Sequence, residues 1–224
     1  MAGLEDYRWL VSPSGVEAIQ SASELLQAKD VFAATTLLRR IYSPSQTHLA
    51  LEQAQLRVKA RGKFSHADRI FFTDVALQQA TSETIACYKA SRFPVGKPIH
   101  DLCCGIGGDL FALASRAPAV GVERDEVTSL LASANCQALG LDNASIEQRD
   151  VTSLSPADMP LVHIDPDRRP QGRRTTRVEL HEPGEAFLES LIEHCEGGAI
   201  KLAPAAQIPD GWNAQVEQEW ISDE

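Results

Sequence analysis

The sequence predicts an α/β protein in which a parallel, doubly wound sheet follows an all-helical N-terminal domain. Three observations lead there. From about residue 94 onward, short apolar runs alternate with amphipathic segments of helical period, the pattern of a parallel sheet with crossover helices. The run Ile99-His-Asp-Leu-Cys-Cys-Gly-Ile-Gly-Gly108 sets a glycine loop directly between one such strand and one such helix. The first 93 residues carry helix caps and helical spacing throughout. The expected division is residues 1–93, helical, and residues 94–224, α/β.

In the N-terminal part, Pro13 and Ser14 precede Val16, Ile19, Ala22, Leu25 and Leu26, spaced for one helical face. Asp30 is placed to cap a second helix running through Ile41, with Leu37 and Leu38 in its core. Ser43 followed by Pro44 is an N-cap with proline at the first helical position, opening a third helix to about Lys59. A fourth helix is expected from near Asp68, holding Ile70, Phe71, Val75 and Leu77, and a fifth from Ser82 to just before Pro94. Phe93-Pro-Val-Gly-Lys-Pro98 punctuates the boundary.

The first strand then ends on Asp101, followed by Gly105, Gly107 and Gly108 and a helix from about Asp109. Ala119–Glu123 is a second strand whose terminal acid stands 22 residues after Asp101. A helix from about Glu126 to Ala138 and then Gly140 lead to a third strand, Ser145–Asp150. Leu161–Asp165 is a fourth strand, Ala199–Ala203 a fifth, and Ala214–Ser222 a candidate sixth. Open α/β sheets bind ligands at the carboxyl ends of their strands, where these acids gather. A strand-end acid is commonly only a helix cap, but several with a glycine loop at this spacing point to a ligand. The dinucleotide pattern G-x-G-x-x-G fails because its third glycine position, counted from Gly105, is Leu110. No Gly-Lys-Ser/Thr follows either, so a phosphate-binding loop is excluded. Acids flanking the loop suit a cationic ligand.

Composition is that of an ordinary globular protein of 224 residues, and the net charge of −10 argues against a uniformly basic nucleic-acid binder. The five cysteines are odd in number and lack a Cys-x-x-Cys, so neither a disulfide framework nor a zinc site is read; buried thiols in a reducing cytoplasm are expected. No other metal-ligand spacing is found. The N-terminus lacks the basic start and apolar core of a signal peptide, and no stretch of about 18 apolar residues occurs.

Asp101-x-x-x-Gly105-x-Gly107 resembles the first motif of class I S-adenosylmethionine (SAM) dependent methyltransferases. The resemblance implies a Rossmann-like methyltransferase sheet, SAM as cofactor, Glu123 on the ribose hydroxyls and Asp150 near the adenine amine. More closely, Asp101-Leu-Cys-Cys-Gly-Ile-Gly-Gly108 and Asn135 resemble the trimethylguanosine synthase group, as do Lys63-Phe64 and the run from Phe71 to Ser82. In that group the turn before the last extension helix, here Ala80-Thr81-Ser82, closes over the methionine end of SAM. The implied cofactor-binding residues are Thr81, Asp101, Cys103, Gly105, Gly107, Glu123, Arg124, Asp150 and Val151. The implied catalytic stretch is Asp165, Pro166, Asp167 and Arg168. An exocyclic amine on a base is a poor nucleophile, and a carboxylate with a proline-fixed carbonyl can accept its two N–H bonds and orient it. The group has Pro-Pro-Trp after the acid, whereas this chain has Pro166-Asp167-Arg168, so a cap guanosine is not implied. The Asp-Pro-x-Arg-Arg form resembles bacterial relatives that carry a THUMP-like RNA-binding region after the catalytic domain, which would begin about where this chain stops.

Arg168, Arg169, Arg173, Arg174 and Arg177 fall within ten residues of an acidic protein. Arginine suits bidentate phosphate contact and stacking on bases, so RNA is the expected partner through this loop. The reading is a cytoplasmic SAM-dependent N-methyltransferase acting on RNA. A small-molecule or protein methyltransferase and a catalytically silent SAM- or RNA-binding module stand as alternatives.

Overall fold

The computed structural model of the chain describes residues 2–167, 176–209, 211–212 and 216–222. Six helices come first: α1 (Leu4–Leu10), α2 (Pro13–Ala28), α3 (Val31–Leu38), α4 (Pro44–Ala60), α5 (Asp74–Gln79) and α6 (Glu83–Ser91). Five strands and three helices follow among the described residues: β1 (Ile99–Leu102), α7 (Gly108–Ala114), β2 (Ala119–Glu123), α8 (Glu126–Leu139), β3 (Ala144–Gln148), β4 (Leu161–Ile164), α9 (Glu185–His194) and β5 (Gly197–Ile200), with only short 3-10 turns between β3 and β4. The strands form one parallel sheet in the order β3-β2-β1-β4-β5. The order reverses between β1 and β4, the switch point at which such sheets open a crevice.

Local chemistry explains most boundaries. Ser12, Asp30 and Ser43 accept hydrogen bonds from Gly15, Ala33 and Gln46 at the starts of α2, α3 and α4, and proline stands at the head of α2 and α4. Gly140 closes α8 in the left-handed conformation. Helix α3 stops at Leu38 rather than continuing to Ile41, which is exposed, and Val16 also faces solvent, off the buried face of α2.

The helix expected from Asp68 does not form. Ile70, Phe71 and Phe72 are buried in neither helix nor strand, and α5 begins only at Asp74, capped by Thr73. Side chains satisfy this backbone instead. Gln53 donates to the Ile70 carbonyl and accepts from the Phe72 N–H, while Asn135 accepts from the Phe71 N–H and donates to its carbonyl. Burial of the three side chains contributes about 1.5–3 kcal/mol each, and with the polar groups paired, the irregular conformation outweighs helix propensity. The candidate sixth strand is also corrected: residues 216–222 are not strand, and residues 213–215 lie outside the described ones.

One core cluster joins Leu10, Ile19, Leu56, Phe72 and Leu77 of the N-terminal part to Ile106 of the glycine loop and Leu131 of α8. A second packs α6 and α7 on the sheet, and a third packs Leu188 and Leu191 of α9 against Val162 and Ile164 of β4. All five cysteines are free; Cys104 and Cys136 are buried, whereas Cys87, expected inside, is exposed.

Candidate active site

A cleft of about 740 Å³ opens at the carboxyl ends of β1, β2 and β4. Its floor begins with the loop after β1. Cys103 and Gly105 take φ of 59° and 56°, so the chain leaves the strand through left-handed conformations that only glycine adopts without cost. Gly107, at φ 97°, caps α7, and a Cβ there would collide with the Phe111 ring. The Gly105 N–H donates to Glu123 Oε2 at 3.1 Å, which ties the loop to the end of β2.

Strand register builds the next layer. Asp101 of β1 lies opposite His163 of β4, and Asp101 Oδ1 is 2.7 Å from His163 Nδ1. On the far side of the ring, His163 Nε2 is 3.1 Å from Lys89 Nζ of α6. An ammonium can only donate, so Nε2 accepts and the proton sits on Nδ1, facing Asp101. Lys89 also meets Asp109 Oδ1 at 2.5 Å, and Asp109 Oδ2 accepts from the Thr81 hydroxyl at 2.7 Å. Thr81 Oγ1 in turn accepts from Lys201 Nζ at 3.3 Å, and Lys201 ion-pairs with Asp165. One polar row thus runs from Asp101, on the glycine-loop side, to Asp165 at the end of β4.

Burial pushes the Asp101 carboxyl up, against the pull of His163. Burial alone would raise Asp109 too, but the nearby His163 ring, the Lys89 charge and the hydrogen bonds from Lys89 and Thr81 outweigh it and hold this carboxyl below the ordinary value. Burial also raises Glu123, although the Asp125 and Gly105 N–H groups bond its carboxylate. Cys103 is pushed up to about 12 by burial and by Glu123, Asp101 and Asp165, so its thiol is protonated at neutral pH and is no nucleophile.

Of the cofactor residues expected from sequence, Thr81, Asp101, Cys103, Gly105, Glu123, Arg124, Asp150 and Val151 line this one cleft. Gly107 does not; it shapes the turn from behind, against Phe111. Asp101 is not the strand end, since β1 continues to Leu102. Asp150 lies beyond β3 and spends Oδ1 on the Thr152 N–H and hydroxyl, as a cap. Asp165, Pro166 and Asp167 line the opposite wall, and Arg168, Arg169, Arg173 and Arg174 fall outside the described residues. Backbone bonds join Asp167 to Glu182, and Glu182 pairs with Arg124 at 2.8 Å.

Sequence reasoning missed Lys89, Asp109's partnership with it, His163 and Lys201. Lys89 lies 74 residues from His163, and no motif spacing joins them. The adjacency of β1 to β4 and of β4 to β5, with α6 packed against α7, brings these groups together.

Residues 3–60 match a domain of unknown function, DUF8688. Over 180 residues the chain is 34% identical to proteins of Mycobacterium tuberculosis, strains CDC 1551 / Oshkosh and ATCC 25618 / H37Rv, each called an uncharacterized S-adenosylmethionine-dependent methyltransferase. The match covers 75% of this chain and 49% of each relative, so the chain spans about half the length of the curated relatives it matches. A crystal structure of a Porphyromonas gingivalis W83 protein assigned as a methyltransferase superposes with a TM-score of 0.59 at 19% identity, covering 86% of this chain and 46% of that one. With the strand order and the glycine loop above, these likenesses give the chain the Rossmann-like α/β fold of methyltransferase structures.

Proposed function

We propose that the chain is a SAM-dependent N-methyltransferase that methylates an exocyclic amine or ring nitrogen of an RNA base in the cytoplasm. The observation that carries this reading is one cleft uniting the glycine loop and the Glu123 carboxylate with Asp165-Pro166 on the facing wall. The names of the Mycobacterium tuberculosis relatives support the cofactor.

The residues present fit SAM. Asp101 Oδ2 is buried with no hydrogen-bond partner among the described residues, so the glycine-loop side of the cleft offers unspent negative charge to a cationic ligand. The Glu123 carboxylate takes the backbone N–H groups of Gly105, Asp125 and Arg124, and of its roughly four lone-pair sites this leaves one for a ribose hydroxyl. The SAM sulfonium would supply the electrophilic methyl. Asp165 and the Pro166 carbonyl would accept the two N–H bonds of the acceptor amine and aim its lone pair along the cleft. The arginines that follow, in a chain of net charge −10, support RNA as the bearer of that amine. A THUMP-like RNA-binding region beyond this chain belongs to the same reading.

The test is transfer of tritium from methyl-labelled SAM to total RNA, protein and small-metabolite fractions. Label in RNA is expected. Label only in protein or metabolites would move the acceptor class, and none anywhere would leave a silent binding module. Asp165→Ala should abolish transfer and leave SAM affinity nearly intact, because that carboxylate acts on the nucleophile, whose alignment matters in the transition state. Wild-type turnover in this variant would remove Asp165 from the chemistry.

A further inference from the structure

We infer that Lys201 is a positioning residue that sets which amines this site can methylate: its ammonium compensates the Asp165 carboxylate, so the acceptor subsite takes an uncharged, conjugated amine and turns away a protonated aliphatic one. The inference rests on the N-methyltransferase reading above.

The register of the sheet makes the pair. Ile164 lies opposite Ile200, so the next residues along, Asp165 and Lys201, emerge side by side from adjacent strands. The Lys201 N–H donates to the Ile164 carbonyl at 2.9 Å, which fixes the lysine backbone to the strand that carries the acid. Its Nζ then meets Asp165 Oδ2 and the Thr81 hydroxyl. Thr81 is itself held by Asp109, whose second oxygen is on Lys89. Both partners of the pair are about a quarter exposed, so the carboxylate is reachable, yet one oxygen is already engaged. Oδ1 is left to face an acceptor.

The consequence for the substrate is electrostatic. An aliphatic amine has a pKa of about 10.4 and is an ammonium at neutral pH, with no lone pair to attack a methyl group. A methyltransferase for such amines needs an uncompensated anion to bind the cation and a base to remove its proton. Here the carboxylate is already bonded to an ammonium, and a second cation beside it would meet Lys201 as a like charge. A conjugated amine on a base is neutral and needs only acceptors for its N–H bonds, which Oδ1 and the Pro166 carbonyl provide. In the transfer its lone pair forms the N–C bond as the C–S bond breaks. The sulfonium becomes an uncharged thioether, the charge passes to nitrogen, and one proton leaves nitrogen for water.

The experiment compares two cofactor analogues by calorimetry on the 224-residue chain. S-adenosylhomocysteine lacks the methyl, and sinefungin carries a protonated amine where the methyl would be. Lys201→Met keeps the apolar stem and removes the charge. Its sinefungin affinity, relative to S-adenosylhomocysteine, should rise about tenfold over wild type, an uncompensated carboxylate in a partly exposed site. Lys201→Arg should keep the wild-type ratio, and adding Asp165→Asn to Lys201→Met should erase the gain. A merely structural lysine would shift both affinities together, and an unchanged ratio would overturn the inference. Lys201→Gln serves as a second variant where the methionine one does not fold. In parallel, wild type should transfer labelled methyl to total RNA and not to spermidine or lysine-rich peptide. Equal transfer to those aliphatic amines would overturn the inference and leave the methyltransferase reading standing. Absence of transfer to every acceptor would remove that reading and the inference with it.

Discussion

Asn135 is wholly buried in α8, and its replacement by alanine tests how the N-terminal part is held to the cleft. Its Oδ1 accepts from the Phe71 N–H at 2.7 Å, and its Nδ2 donates to the carbonyls of Phe71 and Ile106 at 3.1 Å each. Asn135→Ala therefore strips three buried backbone groups of a partner. Each lost bond is worth about 1 kcal/mol net, and each orphaned group costs about 1–3 kcal/mol unless water replaces the side chain. With partial rehydration the expected loss is about 3–5 kcal/mol. Gln53→Ala is the internal comparison, because it severs bonds to Phe72 N–H and Ile70 carbonyl, and the latter keeps Arg57 Nε at 3.1 Å. Its expected cost is about 2 kcal/mol. Asn135→Asp should be worse than alanine at neutral pH, since a carboxylate would face two carbonyl oxygens, and should recover as the acid protonates. Urea unfolding followed by circular dichroism measures all three. S-adenosylhomocysteine affinity should fall as well, because Ile106 is on the cleft. A loss below about 1 kcal/mol for Asn135→Ala would refute the view that this amide, rather than apolar packing alone, fixes the segment at Ile70–Phe72.

Three further outcomes are expected. Glu123→Ala should weaken SAM binding by about 1.5–3 kcal/mol in calorimetry, and unchanged affinity would remove Glu123 from the cofactor site. Asp109, held below its ordinary value of 3.8, contributes stability that is complete above that value and lost as pH falls through the depressed native one. Urea midpoints should therefore fall more steeply in acid for wild type than for Asp109→Asn, and parallel curves would count against the Lys89–Asp109 bond. RNA binding should weaken with salt by about 0.7–0.9 in log–log slope per phosphate contact, and Arg173→Ala with Arg174→Ala should flatten it by up to about two such units while SAM affinity holds. Equal slopes in anisotropy titrations would make that loop a solvated surface.

What could be read along the chain is what depends on neighbours in sequence. Ser12, Asp30 and Ser43 reach only three residues to bond an N–H, so their caps are visible in the string of letters. The strand–glycine loop–helix from Ile99 is likewise local, and so is Asp165-Pro166 at a strand end. Those features sufficed for an α/β sheet and for a part of the cleft's lining, Asp101, Gly105, Asp165 and Pro166 among it. The non-helical run at Ile70–Phe72 escaped because its partners, Gln53 and Asn135, lie 17 to 64 residues away, and local propensity has no knowledge of them. The same holds for Lys89, His163 and Lys201. A buried lysine is tolerable only where anions and acceptors surround it, and those arrive from α7 and β4 once the strand order 3-2-1-4-5 sets β4 between β1 and β5. Asp101 shows the division in one residue: its place in an apolar strand just ahead of the glycine loop is written in the sequence, but its bond to His163 exists because parallel pairing lays residue 101 opposite residue 163. Hydrogen-bond chemistry names which groups can pair, and only the packing of distant strands and helices brings them within 3 Å of one another.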